Sequence, residues 1–271
     1  MGQFNQSTTL GRTGLKVGRL GISSSFGVPA AGLEAAFERG CNYFTWGTFI
    51  KGRSSEMKIA VKNIVAKGER DKLVLSVFTY AHNNFLTETF LDRGLKSLGI
   101  DCVDVLLLGY YSKIPVNKLL EGALKLKEQG KVRFIGISSH NRRLFPKLHE
   151  HGIIDIYHVR YNAAHRGAET EVFPYISGEN RPGVVSFTAT SWRKLLNKRK
   201  MPRGEAPMSP ADCYRFALSN PAVDICMMGA RNKAEMEENL NVLDMEPFSP
   251  AEMERAIRIG DYLHGGTLSK S

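Results

Sequence analysis

The stretch Gly40-Cys41-Asn42-Tyr43-Phe44-Thr45-Trp46-Gly47 decides how the fold is read. It follows a segment, Pro29 to Arg39, in which apolar Ala31, Leu33, Ala35, Ala36 and Phe37 predict an amphipathic helix. Gly40 is suited to end that helix because it tolerates positive φ. The apolar run after it predicts a buried strand that passes directly into a loop. A helix feeding a buried strand is the repeating unit of an α/β fold.

The unit recurs along the whole chain. Helical patterns cover Ser54–Lys67, Asn84–Leu98, Val116–Gln129, Arg142–His151, Pro210–Asn220, Ala234–Leu243 and Pro250–Tyr262. Strand patterns cover Leu73–Phe78, Val103–Leu108, Arg133–Ile137, Ile154–Tyr161, Val184–Phe187 and Ala222–Met228. Runs such as VDVLLL and AVDICMM are apolar almost without interruption, as required of strands covered on both faces. Upstream, the glycine-broken stretch from Thr8 to Phe26 predicts a hairpin leading into a first strand. The total is eight strands, which predicts a single-domain (β/α)8 barrel, residues 1–271, with an N-terminal hairpin. An open doubly wound sheet is the rival, but no Gly-x-Gly-x-x-Gly turn follows any strand.

With 271 residues and 42% apolar content, the chain can bury a large core. Its formal charge of +10 points to an anionic partner. A nucleic acid is disfavoured because there is no basic helix and no aromatic-interleaved strand motif. The four cysteines are widely spaced, which argues against a zinc or iron–sulfur site and suits buried thiols in a reducing cytoplasm. No apolar run approaches the length of a membrane span, and the N-terminus does not read as a signal peptide.

Several motifs, in order, carry a family resemblance. The opening LGRTGLKV, the Asn-Tyr-Phe of the first-quoted stretch, GALKLKEQGKVRFIGISSH (Gly122–His140), VRYNAAHRGAE (Val159–Glu169) and GARNKAEMEENL (Gly229–Leu240) together resemble the aldo-keto reductases over almost the whole chain. The resemblance implies NADP(H)-dependent carbonyl reduction by an Asp, Tyr, Lys and His at the ends of barrel strands two to four. The Tyr would protonate the developing alkoxide, the Lys–Asp pair would lower its pKa, and the His would orient the carbonyl. In this chain those positions hold Thr45, Ile50 (Phe49 if the loop shifts by one), Phe78 and Gly109. None of the four can do the work of the residue it replaces.

The cofactor half of the resemblance is better kept. Ser138 and Ser139 stand where a Ser-Asn pair holds the nicotinamide amide, His158 where a Gln does, and Phe187 where a Tyr stacks on the ring. Thr188 takes the place of a Ser that meets the pyrophosphate. Glu238 and Asn239 match the residues that grip adenine, and Arg231 is available to a 2′-phosphate, but Glu235 stands where Arg or Gln is usual. Two substitutes for the missing proton donor are Tyr110 and His140.

Around the rim the sequence places Trp46, Lys51, Tyr80, His82, Lys113, Arg142, Arg160, Asn162, His165, Arg166, Trp192 and Arg193, a set rich in cations and rings that suits an anionic small molecule. The connection Thr188–Met208 holds six basic residues, Arg193, Lys194, Lys198, Arg199, Lys200 and Arg203, which either face solvent or contact phosphate. After Tyr262 little chain remains, so a mouth more open than in longer-tailed relatives is expected. Two readings stand side by side. One is an atypical NADP(H)-dependent oxidoreductase. The other is a barrel without catalysis that binds a nucleotide or another anion.

Overall fold

The computed structural model describes residues 4–24, 26–47 and 54–268, with side chains through residue 265. A short antiparallel pair, β1 (Thr8–Thr9) and β2 (Lys16–Val17), precedes eight parallel strands: β3 (Leu20–Ser23), β4 (Tyr43–Gly47), β5 (Val74–Thr79), β6 (Val103–Leu108), β7 (Val132–Ser139), β8 (Ile156–Arg160), β9 (Gly183–Phe187) and β10 (Ile225–Met228). The eight close into a barrel, with β10 pairing both β9 and β3. The helices outside it are α1 (Ala30–Glu38), α2 (Ser55–Ala66), α3 (Asn84–Leu98), α4 (Asn117–Glu128), α5 (Leu144–His151), α6 (Ala168–Glu171), α7 (Pro210–Leu218), α8 (Lys233–Leu240) and α9 (Pro250–Leu268). The (β/α)8 barrel with its N-terminal hairpin is therefore present as expected. The last helix runs on through Leu268 rather than stopping near Tyr262, and α6 has no counterpart in the sequence reading.

The opening stretch anchors the base. Gly40 has φ +89, which turns the chain out of α1 towards β4. The Asn42 amide then donates to the carbonyls of Lys16 and Lys72 and accepts from the Gly18 amide, joining the hairpin to two strands. Above it the strand alternates. Tyr43 joins an inner layer with Leu10, Leu15 and Val17 of the hairpin and with Val74, Val105, Ile156, Val185 and Ile225, so the hairpin plugs the barrel floor. Phe44 and Trp46 point the other way, into the layer between strands and helices. Trp46 is 4% exposed and its indole donates to the Ser54 carbonyl at 3.0 Å. This corrects its expected place on the rim.

A clasp recurs at the base. Asp104, Asp155 and Asp224, at the starts of β6, β8 and β10, each accept the backbone amide of a residue in the preceding strand: Leu75 (2.9 Å), Ile135 (3.0 Å) and Val184 (2.8 Å). Each is also paired with arginine: Asp104 with Arg70 and Arg133, Asp155 with Arg12, Asp224 with Arg181. Buried carboxylates are tolerable only with such partners. The base of the barrel is thus charge-compensated.

Candidate functional site

A cavity of about 690 Å³ opens at the C-terminal ends of the strands, where barrels of this kind carry their chemistry. Strand alternation decides what faces it. Thr45, Phe78, Ser138, His158 and Phe187 all line it. Ile50, Phe49 and Lys51 lie outside the described residues.

Phe78 and Gly109 form one packed unit. A Cβ built on Gly109 would lie 2.5 Å from Cζ of the Phe78 ring, closer than any real contact allows, so the ring occupies the space that a side chain at position 109 would need. The same ring meets Tyr80 edge-on at 4.5 Å and Tyr110 at 6.2 Å. Tyr80 and Tyr110 stack at 5.2 Å with only 5° between their planes, and Tyr110 stacks in turn on His140 at 5.4 Å. Tyr110 adopts φ +55 to do so, a conformation rarely taken by residues with a side chain. His140 continues the series to Phe187 and Trp192.

Of the two residues expected as substitute proton donors, Tyr110 lines the cavity and is half exposed, whereas His140 is not part of the lining. Burial, followed by the nearby Arg160, pulls the His140 pKa down, so the imidazole is neutral near pH 7. Its contact with Tyr110 is a ring stack. Tyr80 also lines the cavity, and its pKa is raised by burial and by the adjoining Tyr110.

His158 forms part of the cavity floor. It is 4% exposed, and its Nε2 is 2.9 Å from the Tyr43 hydroxyl, a bond that spans the barrel between two opposite strands, β8 and β4. Burial holds its pKa down to about 3. Ser138 faces the cavity, but the Ser139 hydroxyl donates to the Tyr111 carbonyl at 2.6 Å and accepts from the Asn141 amide at 2.9 Å, which commits it to the loop after β7.

Across the mouth, Thr188 lines the cavity with φ +62, and Ser191, Trp192 and Arg193 follow with φ +49, +52 and +65. Three successive left-handed residues with side chains are costly unless braced. The Ser191 amide donates to the Thr188 carbonyl at 2.9 Å and the Arg193 amide to the Thr190 hydroxyl at 3.2 Å. The fully buried Asn162 holds the start of this turn: its amide donates to the same Thr188 carbonyl at 2.8 Å while its carbonyl oxygen accepts from the Ala164 amide and approaches His165 Nδ1. At the far end, Arg231 and Glu235 are joined by a multiple ion pair that also engages the Arg231 amide, with Glu238 and the buried Asn239 beside them. Glu235, expected to repel a phosphate, is instead neutralised by the arginine expected to hold one. Among the described residues no His, Cys, Asp or Glu cluster could hold a metal ion. No described helix is long and apolar enough to cross a membrane.

The comparisons with known proteins agree with the residues quoted from the sequence. A model of the aldo/keto reductase family matches residues 24–192. L-galactose dehydrogenase of Arabidopsis thaliana is 24% identical over 280 residues, spanning 85% of this chain and 86% of its own length. The aldo-keto reductase yakc of Schizosaccharomyces pombe, whose name specifies NADP(+), is 42% identical over 52 residues, 19% of this chain and 15% of its own length. Among solved structures, aldo-keto reductase AKR11C1 of Bacillus halodurans in its holo form superimposes with a TM-score of 0.75 at 19% identity, covering 94% of this chain and 96% of its own.

Two outcomes test this geometry. Gly109→Ala will cost about 1–3 kcal/mol in urea unfolding, and Phe78→Leu in the same chain will recover part of it; purely additive effects would contradict the packed-unit reading. The second concerns pH. His158 binds a proton in the unfolded chain below about 6.5 but in the folded chain only near 3, so its contribution to stability is full above 6.5 and is lost as pH falls through that window. Stability of the parent will therefore decline on acidification by up to about 1.4 kcal/mol per pH unit from this group, and His158→Gln will flatten the profile. Superimposable profiles would show that His158 does not titrate in this way.

Proposed function

We propose, from the premise that this chain belongs to the aldo/keto reductase family, that it is an atypical oxidoreductase. In this reading its mouth cavity holds a nicotinamide nucleotide, and its reaction does not use the family's four-residue proton relay. The observation that carries the proposal is the Phe78–Gly109 contact. An apolar ring occupies both the position of the expected lysine and the room for the expected histidine, and Thr45 adds no carboxylate. Proton-transfer groups contribute roughly 100- to 10,000-fold each, so their joint replacement removes the ordinary route.

The residues present fit a nicotinamide nucleotide in most respects. Phe187 offers a flat apolar face, Ser138 a hydroxyl, and Thr188 with Arg193 a polar passage past the β9 loop, while Glu238 and Asn239 lie at the adenosine end. Such a nucleotide, when bound, supplies or accepts a hydride. The chain contributes Tyr110, a cavity-lining and half-exposed hydroxyl whose ring meets Phe78 edge-on at 6.2 Å and stacks on the neutral His140. One relative carries NADP(+) in its name and another is named a dehydrogenase, which supports the nucleotide reading. The free cysteines, three of them buried, suit a reducing cytoplasm. The second reading, a barrel that binds a nucleotide or other anion without turnover, is favoured by the same Phe78.

Titration of the protein with NADPH and NADH, followed by tryptophan fluorescence, tests the proposal together with turnover of a panel of aldehydes and quinones. Micromolar binding with turnover that Tyr110→Phe lowers at least tenfold is expected. Binding without turnover would establish the second reading, and no binding at millimolar nucleotide would remove both nucleotide readings.

The Arg231–Glu235 pair yields a further outcome. A 2′-phosphate has to compete with Glu235 for the guanidinium, so NADPH will bind no more than about tenfold tighter than NADH, whereas Glu235→Gln will raise NADPH affinity by about tenfold and leave NADH little changed. Equal changes for both nucleotides would place the 2′-phosphate elsewhere.

A further inference from the structure

Unpaired buried groups are not spread evenly over the molecule. Among the described residues, eight buried side-chain nitrogen or oxygen atoms have no hydrogen-bond partner. Four of these, His140 Nδ1, Arg142 Nε, Arg160 Nε and Arg166 Nε, belong to residues at or just beyond the ends of β7 and β8. All four are nitrogens, and three of them are obligate donors.

The local charge is as uneven. Arg142 is paired with Glu171 at 2.8 Å and Arg166 with Asp261 at 2.6 Å, while Glu169 accepts from the Tyr161 hydroxyl at 2.7 Å. That uses the carboxylates of this region. Arg160 forms no ion pair with any described residue. It is partly buried, has the like-charged Arg142 beside it, and lies over the Trp192 ring at 5.7 Å. Lys194 is likewise without a carboxylate among the described residues; the pKa of the His165 imidazole is held down to about 4, first by burial and then by the positive charges of Arg160, His264, Lys194 and Arg142 around it. A half-buried guanidinium among like charges is unfavourable unless a counter-charge completes it. Trp192 is shared by this cluster and the mouth cavity, whereas Arg160 is not part of the cavity lining.

We propose that this cluster is a second binding site, for an oxyanion, in which Arg160 grips a carboxylate or phosphate group with Arg142 and Lys194 around it, and that a ligand in the cavity reaches it past Trp192. The guanidinium fork matches both anions bidentately, and Trp192 offers a flat face to whatever carries the charge. The site does not depend on nucleotide binding.

The test uses the full chain with inorganic phosphate and, separately, benzoate as probes, against chloride at constant ionic strength, with and without NADH. Tryptophan fluorescence and thermal melting are read together, because an anion that binds only the folded chain raises the melting temperature. A saturable change in the millimolar range or tighter is expected for at least one probe, with affinity lowered about tenfold or more by Arg160→Gln and less by Arg160→Lys. Response to phosphate alone would identify a phosphate ester as the ligand class, and response to benzoate alone a carboxylic acid. NADH affinity will be the same in the parent and both variants, so failure of nucleotide binding and failure of the anion site are separately visible. No saturable response to either probe, or equal affinity in the parent and Arg160→Gln, would overturn the proposal.

Discussion

The mouth of the barrel depends on one contact, the Phe78 ring lying over the backbone of Gly109. A lysine and a histidine at these positions would both be polar and both reach into the cavity. An aromatic ring at position 78 needs position 109 to have no side chain, so the two identities are mechanically coupled. Once the ring is in place it sets the plane against which Tyr80 and Tyr110 pack, and the positive φ of Tyr110 is maintained by that stack. The rings of His140 and Trp192 extend the same wall. This corner of the mouth is aromatic throughout.

The two ends of the barrel treat charge differently. At the base, three aspartates each hold a strand amide and an arginine, so buried charges come in compensated sets. At the mouth, arginines and lysines outnumber the carboxylates that could answer them on the β7–β9 side. The first arrangement is structural and needs no ligand. The second carries uncompensated charge, and the family's nucleotide is itself an anion, so both ligands considered for this mouth act on the same imbalance.

Much of the fold was legible because barrel strands are covered on both faces, which makes VDVLLL readable as a strand without knowledge of its neighbours. Boundaries were less legible where side chains rather than apolarity decide them. Ala222 to Asp224 reads as the start of a strand, yet the Ala222 amide is taken by Asn220 and Asp224 serves as a clasp, so β10 begins at Ile225. The outward place of Trp46 follows from alternation once Tyr43 is put inside, a signal present in the sequence. The identities at positions 45, 78 and 109 could be read off directly, but the dependence of Gly109 on Phe78 could not, because it is a distance between two strands. The pairing of Arg231 with Glu235 had a sequence signal in the four-residue helical spacing. The isolation of Arg160 had none, since it follows from where Glu169, Glu171 and Asp261 spend their bonds.

The Tyr43–His158 bond has a consequence for how anything enters the cavity. Both partners are buried and neutral near pH 7, so the floor contributes hydrogen-bonding capacity and no net field. The potential along the barrel axis therefore rises from the floor towards the cationic side of the rim. A molecule with one charged and one uncharged end experiences that gradient as a torque: its neutral end is directed down to His158 and its anionic end is kept at the opening. Orientation would thus be set before any specific contact forms.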